Sequence, residues 1–263
     1  MAGNTRAETL MSTQFCVAPC DGGTTMKTVY GLLVGAALIL ATPTLGVAAL
    51  LAKDEMTFEV SLDGQSIGEH RFRITNGGAV RVVESEASFD VRILRVPVYR
   101  YRHRNSETWQ NGCLKRIDSE TDANGTPYAV DLSKTATGYR IVTPNETQTY
   151  QSDCLMSFAY WDQQFLQQQR LLNTQTGELI AVEIQSLGES ERRIANRTVP
   201  VKGFRVLAAP QKVDIKVFYH SVDGHWVALE SVLENGRTLR YALAGDDRPA
   251  TVGRVPDPPS ARR

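Results

Sequence analysis

Met56-Thr57-Phe58-Glu59-Val60-Ser61-Leu62-Asp63-Gly64-Gln65-Ser66-Ile67-Gly68 decides the fold. Phe58, Val60 and Leu62 alternate with Thr57, Glu59 and Ser61, the period-two pattern of a strand with one buried face. Asp63-Gly64 then supplies the two residues of a type I′ turn, in which both take positive φ. On the return strand Ile67 faces the core, but Phe72 and Ile74 have the opposite parity. One extra residue at Gly68 reconciles them, so a β-bulge is expected there.

The same alternation runs outward from this hairpin. Val83, Ala87, Phe89, Val91 and Ile93 share one face, with Ser85 among them, and Glu84, Glu86, Ser88 and Asp90 share the other. Beyond Leu94-Arg95-Val96-Pro97, Tyr99, Tyr101 and His103 alternate with Arg100, Arg102 and Arg104. Pairing about Arg95-Val96 sets Asp90 opposite Arg102 and Ser88 opposite Arg104, where opposite charges stabilise the ladder. Further strands read at 112–121, 128–132, 138–142, 178–187, 203–208, 213–220, 226–233 and 237–243. Asn124-Gly125, Asp223-Gly224 and Asn235-Gly236 mark hairpin turns. Residues 156–173 break the pattern. Ala159, Phe165, Leu166 and Leu172 line one helical face, and Gln163, Gln164, Gln167, Gln168 and Gln169, good helix formers, fill much of the rest. Ser157 is the expected N-cap and Asn173 with Gly177 the stop. The fold class that follows is mainly β: a single strongly curved antiparallel sheet or partial β-barrel of about ten strands, with one α-helix covering its concave face.

Lys and Arg number 29, as do Asp and Glu, so the formal net charge is zero. That balance excludes a nucleic-acid partner of the usual basic kind. Met26-Lys27, an uncharged run over 29–52 broken by Pro43 and Gly46, and the small residues of Val47-Ala48-Ala49 compose a secretory signal over 26–52. Cleavage leaves no membrane span; the alternative is an uncleaved anchor at 29–52. Residues 1–25 precede a complete signal, which points to translation from Met26; the alternative is a genuine long leader. One β-rich domain follows over 53–245. Residues 246–263, with four prolines and no period, read as a disordered tail.

An exported chain meets an oxidising compartment, where Cys113 and Cys154 are expected to pair, a pair of free thiols being the alternative. Their separation of 41 positions is worth about 4 kcal/mol in the loop-entropy account. His70, His103, His220 and His225 have no metal-ligand spacing, although His220 and His225 can approach across the Asp223-Gly224 turn. No metal or cofactor is expected, there is no nucleophile elbow, and no glycine loop cradles a phosphate. Glu84 and Glu86 read as a solvated charged face. The row Tyr101–His103 presents apolar bodies with polar tips toward the concave side, and Arg102 belongs to a row able to hold an anionic head group. Tyr160 and Trp161 fall in an aromatic stretch that helical spacing cannot bury whole. Tyr101, Arg102, His103, Tyr160 and Trp161 are therefore the candidate ligand-binding residues, with no catalytic set.

Leu62-Asp63-Gly64-Gln65-Ser66-Ile67-Gly68, Ser157-Phe158-Ala159-Tyr160-Trp161, Leu172-Asn173-Thr174-Gln175-Thr176-Gly177-Glu178, Trp226-Val227-Ala228-Leu229 and Gly236-Arg237-Thr238-Leu239-Arg240-Tyr241 occur in this order. Together they resemble an uncharacterised family of exported bacterial β-rich proteins, a domain of unknown function, over roughly Met56 to Leu243. The resemblance implies a Gram-negative periplasmic setting and carries no catalytic residues. By looser analogy, a curved sheet with one helix looks like the periplasmic lipoprotein carriers and related lipid-binding half-barrels. The expected function is non-enzymatic binding of an apolar or amphipathic, lipid-like molecule. The alternatives are an accessory that docks on an envelope protein, and a hydrolase or isomerase without a recognisable motif.

Overall fold

The structure, a computed structural model, describes residues 52–93, 96–194, 196–233 and 235–245. The expected leader, the signal up to residue 51 and the tail at 246–263 lie outside the described residues. Fifteen strands are described: β1 (Ala52–Leu62), β2 (Gln65–Gly77), β3 (Val80–Ile93), β4 (Val96–Gln110), β5 (Cys113–Ala123), β6 (Thr126–Lys134), β7 (Tyr139–Val142), β8 (Thr147–Tyr150), β9 (Arg170–Leu172), β10 (Leu179–Ala181), β11 (Glu183–Ile194), β12 (Arg197–Ala208), β13 (Val213–His220), β14 (Trp226–Val232) and β15 (Thr238–Leu243). Thirteen form one antiparallel sheet in the order β11-β12-β13-β14-β15-β1-β2-β3-β4-β5-β6-β7-β8, and β9 with β10 make a separate ribbon. Two meanders are thus joined where the first strand pairs with the last, Val60 opposite Tyr241. The two outer strands of the large sheet, β8 and β11, do not pair with each other, so the sheet is open rather than a closed barrel.

The inward faces of these strands are coated with large apolar side chains, including Phe58, Phe89, Leu132, Val217 and Trp226. Phe72 on β2 and Trp226 on β14 lie about three strand spacings apart, roughly 14 Å in a flat sheet. Their ring centroids are 5.4 Å apart. Only a sheet bent toward that face brings them together. The expected bulge is present: Val60 faces Gly68 while Ser61 faces Ser66, leaving Ile67 as the extra residue. Gly68 has φ +146°, and a Cβ there would lie 1.9 Å from the carbonyl oxygen of Ser88. The turn at Asp63-Gly64 has φ 51° and 81°, as its sequence requires.

One register differs from expectation. Asp90 faces Arg100, Ser88 faces Arg102 and Glu86 faces Arg104, because the ladder closes with Ile93 opposite Val96, earlier than a turn about Arg95-Val96 requires, and the extra residue at Val98 recovers only one position. Asp90 still reaches Arg102 diagonally, at 2.8 Å.

The expected helix over 156–173 is not formed. A helix of that length would hold its ends about 27 Å apart. Instead Ser157 forms a parallel bridge with Leu172, and the Leu172 N–H donates to the Met156 carbonyl at 2.9 Å. The segment is a folded strap with one 3-10 turn, Gln163–Gln167, capped by Asp162 rather than Ser157. Its apolar residues are buried on several sides at once: Leu155, Met156, Ala159, Phe165, Leu171, Leu172 and Ile180 are all within the core. Gln163, Gln164 and Gln167 meet solvent, but the contacts that draw the two ends of the segment together leave their helix propensity a single 3-10 turn. Among the described residues no helix is long and apolar enough to cross a membrane.

Candidate ligand cavity

The strap over 151–182 connects one edge of the sheet to the other by crossing its concave face. A disulfide joins Cys113, at the start of β5, to Cys154 at the strap's entry. Next to it the Leu114 N–H donates to the Leu155 carbonyl at 3.0 Å, and the Leu155 N–H donates to the Tyr139 hydroxyl. The Tyr219 hydroxyl donates to the Tyr160 carbonyl at 2.8 Å. Tyr160 and Trp161 then turn to opposite walls. The Tyr160 ring lies 5.4 Å from Trp226, while Trp161 meets Trp109 edge-on at 5.3 Å. Arg81 locks the same corner, with its guanidinium 5.1 Å from the Trp161 ring and ion-paired to Asp162.

Between strap and sheet lies a cavity of about 90 Å³ whose walls include Tyr101, His103, Tyr160 and Trp161. Four of the five residues expected at a site are thereby brought together. Arg102 is not among them. Successive side chains of a strand point to opposite faces, and Arg102 lies on the outer one. Its guanidinium binds Asp90 and the carbonyls of Phe89 and Tyr101.

The cavity has apolar lining, among it Phe72, Val83, Ala87 and Ile215, and interspersed polar residues that the sequence reading missed: His70, Asn105, Glu107, Ser157 and Tyr241. Both ring nitrogens of His70 are shielded from solvent and have no hydrogen-bond partner, and the same holds for the Asn105 Oδ1. His70 stacks over Phe72 at 4.2 Å. Burial, with a smaller contribution from His103, drives its pKa well below the usual histidine value, so the ring is neutral. Burial likewise lowers His103 to about 4. Its Nδ1 shares a hydrogen bond with the Thr121 hydroxyl at 2.8 Å. Glu107 is fully committed. Asn105 and Ser157 donate to its Oε1 and Trp109 to its Oε2. Burial raises its pKa, and these three donors oppose the rise. The Ser157 hydroxyl donates to Glu107 at 2.9 Å.

A second, wide groove of about 1440 Å³ runs past Arg102, Arg104 and Gln175. Its arginines are already ion-paired, Arg102 with Asp90 and Arg104 with Glu86. His70, unsatisfied at both ring nitrogens, and Asn105 line the enclosed cavity, whereas Gln175 alone of such residues lines the groove; the enclosed cavity is the candidate site.

An open, curved antiparallel sheet filled by its own connecting segment defines a β-barrel-like protein. A solved structure of this kind is a beta-barrel-like protein of domain of unknown function DUF1849 from Brucella abortus. It is 9% identical, with a TM-score of 0.52, and the match covers 74% of this chain and 96% of that one. At that identity the likeness speaks for the fold alone. No curated protein matches the chain. The chain belongs to the family described as a domain of unknown function, DUF6134, which matches residues 58–244.

Proposed function

We propose that this chain is an exported protein of the bacterial cell envelope that holds a small amphipathic molecule, without chemical conversion, between its curved sheet and its strap. The observation that carries the reading is the pairing of apolar walls with orphaned polar atoms: both nitrogens of His70 and the Asn105 Oδ1 are buried and unpartnered at the cavity. Buried polar groups are almost always hydrogen-bonded, and a mainly apolar ligand that carries a polar group satisfies both kinds of lining. A void of about 90 Å³ takes a compact aromatic or short-chain molecule; a whole acyl chain requires the strap to lift. Export over 26–52 and a periplasmic home accord with the Cys113–Cys154 bridge, since disulfides persist in oxidising compartments.

The alternative of an envelope accessory docking through a sheet edge draws less support. The exposed edge β11 carries Glu189, Glu191, Arg192 and Arg193 and a register shift beside Gly188. Charges and bulges of this kind keep an edge from pairing.

Native mass spectrometry of the protein isolated from its own envelope tests the reading. The wild type is expected to carry a small-molecule adduct. Ala87→Leu, which fills the cavity from a buried position, is expected to lose it while remaining folded. An adduct-free wild type, or an adduct that survives Ala87→Leu, contradicts the proposal.

A further inference from the structure

The turn between β13 and β14 reads His220-Ser221-Val222-Asp223-Gly224-His225. Its backbone is closed by two hydrogen bonds, from the His220 N–H to the His225 carbonyl and from the Gly224 N–H to the His220 carbonyl, each 2.9 Å. Gly224 makes the closure with φ +72°. The tight turn sets one potential ligand atom of His220, Asp223 and His225 within 4.8 Å of one another. The imidazoles are mostly shielded, their side chains 16% and 17% exposed, while Asp223 is 47% exposed. The cluster is therefore anchored on the protein side and open on the solvent side.

We propose that His220, Asp223 and His225 bind a divalent transition metal, with Zn²⁺ the best match. Two imidazole nitrogens and a carboxylate oxygen are the donors of open zinc sites, in which a water takes the fourth position. Tetrahedral ligation at zinc bond lengths places neighbouring donor atoms about 3.3 Å apart and two imidazole centres about 5 Å apart. The His220 Nδ1 lies 3.1 Å from the Asp223 Oδ1, and the two ring centroids are 5.1 Å apart. The Asp223 Oδ1 draws both imidazole Nδ1 atoms and the His225 N–H around one point.

The position gives such a site a consequence for the strap. Tyr219 and Trp226, the residues flanking the turn, hold Tyr160 by a hydrogen bond and by ring packing. The Gly224 carbonyl accepts from the Gln163 side chain at 2.7 Å. A metal that stiffens the turn stiffens the grip on the strap.

The test is calorimetric titration of the metal-stripped full chain with Zn²⁺ alone, with Co²⁺ absorption as an independent readout. The expected result is one Zn²⁺ per chain and a tetrahedral Co²⁺ spectrum. Asp223→Asn and His220→Ala are expected to weaken binding at least tenfold, and Asp118→Asn, at an exposed position on β5, to leave it unchanged. Asp223 is exposed enough that its variant keeps the fold, which circular dichroism verifies, so the test stands even if His220→Ala is unstable. Absence of micromolar Zn²⁺ binding, or binding that survives Asp223→Asn, overturns the site.

Discussion

Acid should destabilise this protein through its buried histidines, well before its carboxylates are lost. In the unfolded chain His103 takes up a proton near its ordinary value of 6.5, whereas in the folded protein burial delays protonation to about 4. Between those values the unfolded state binds more protons, so stability falls as pH falls. His103 alone accounts for about 3 kcal/mol between pH 8 and pH 4. His70, also lowered by burial, adds loss in the same direction. Glu107, raised by burial, works against both, because its folded form takes up a proton more readily than its unfolded form. Asp63, held below 3.8 by the Thr238 N–H and Arg237, and Asp214, held below it by Arg205, contribute losses only under pH 4. Urea unfolding of the oxidised protein from pH 8 to pH 4 measures the sum. His103→Gln, which keeps a polar group near Thr121, should flatten the profile by about 3 kcal/mol over that range. A variant with the wild-type slope, or a wild type most stable at pH 4, would refute the reasoning.

Two further perturbations address the frame that holds the cavity. Replacing both Cys113 and Cys154 by serine opens a loop of 41 positions and should lower unfolding free energy by about 4 kcal/mol; an unchanged denaturation midpoint would show that the strap's entry is fixed without the bridge. Gly68→Ala forces a Cβ against the Ser88 carbonyl oxygen in a backbone conformation that side chains avoid and should cost about 3 kcal/mol or more, read from thermal melts beside Gly64→Ala, which shares a positive φ but meets no atom within 4 Å and should cost less.

Much of the sheet was legible because each inward face is buried and each outward face is solvated, which writes period two directly into the sequence. The parity break between Ile67 and Phe72 gave the bulge, and the cysteine count gave the bridge. What escaped the reading lacked that contrast. The outer parts of β11 and β12, and all of β8, are largely exposed on both faces, so Gly188–Ile194 shows charge without alternation. The register of β3 on β4 escaped because the hairpin closes with Ile93 opposite Val96 rather than about Arg95-Val96, a stretch with no glycine or asparagine to mark the turn. The strap escaped for a different reason: its glutamines favour a helix locally, but its ends are tied together by contacts that only the three-dimensional fold supplies. At the cavity, Tyr101 and His103 were readable by parity. So were Asn105 and Glu107, which continue the same inward row of β4, and polar residues at core-facing positions were the signal that could have found them. His70 was readable as well, since past the expected bulge it shares the parity of Phe72 and Ile74, and a histidine on that inward row was the signal.

The most direct test of the central claim is a high-resolution crystal structure of the protein purified from its native envelope, with the density inspected between His70, His103 and Tyr160. The account predicts an ordered organic molecule with a polar atom within hydrogen-bonding distance of a His70 ring nitrogen and its apolar body against Phe72 and Ile215. A cavity that contains ordered water alone, or side chains collapsed to leave no void, would contradict it.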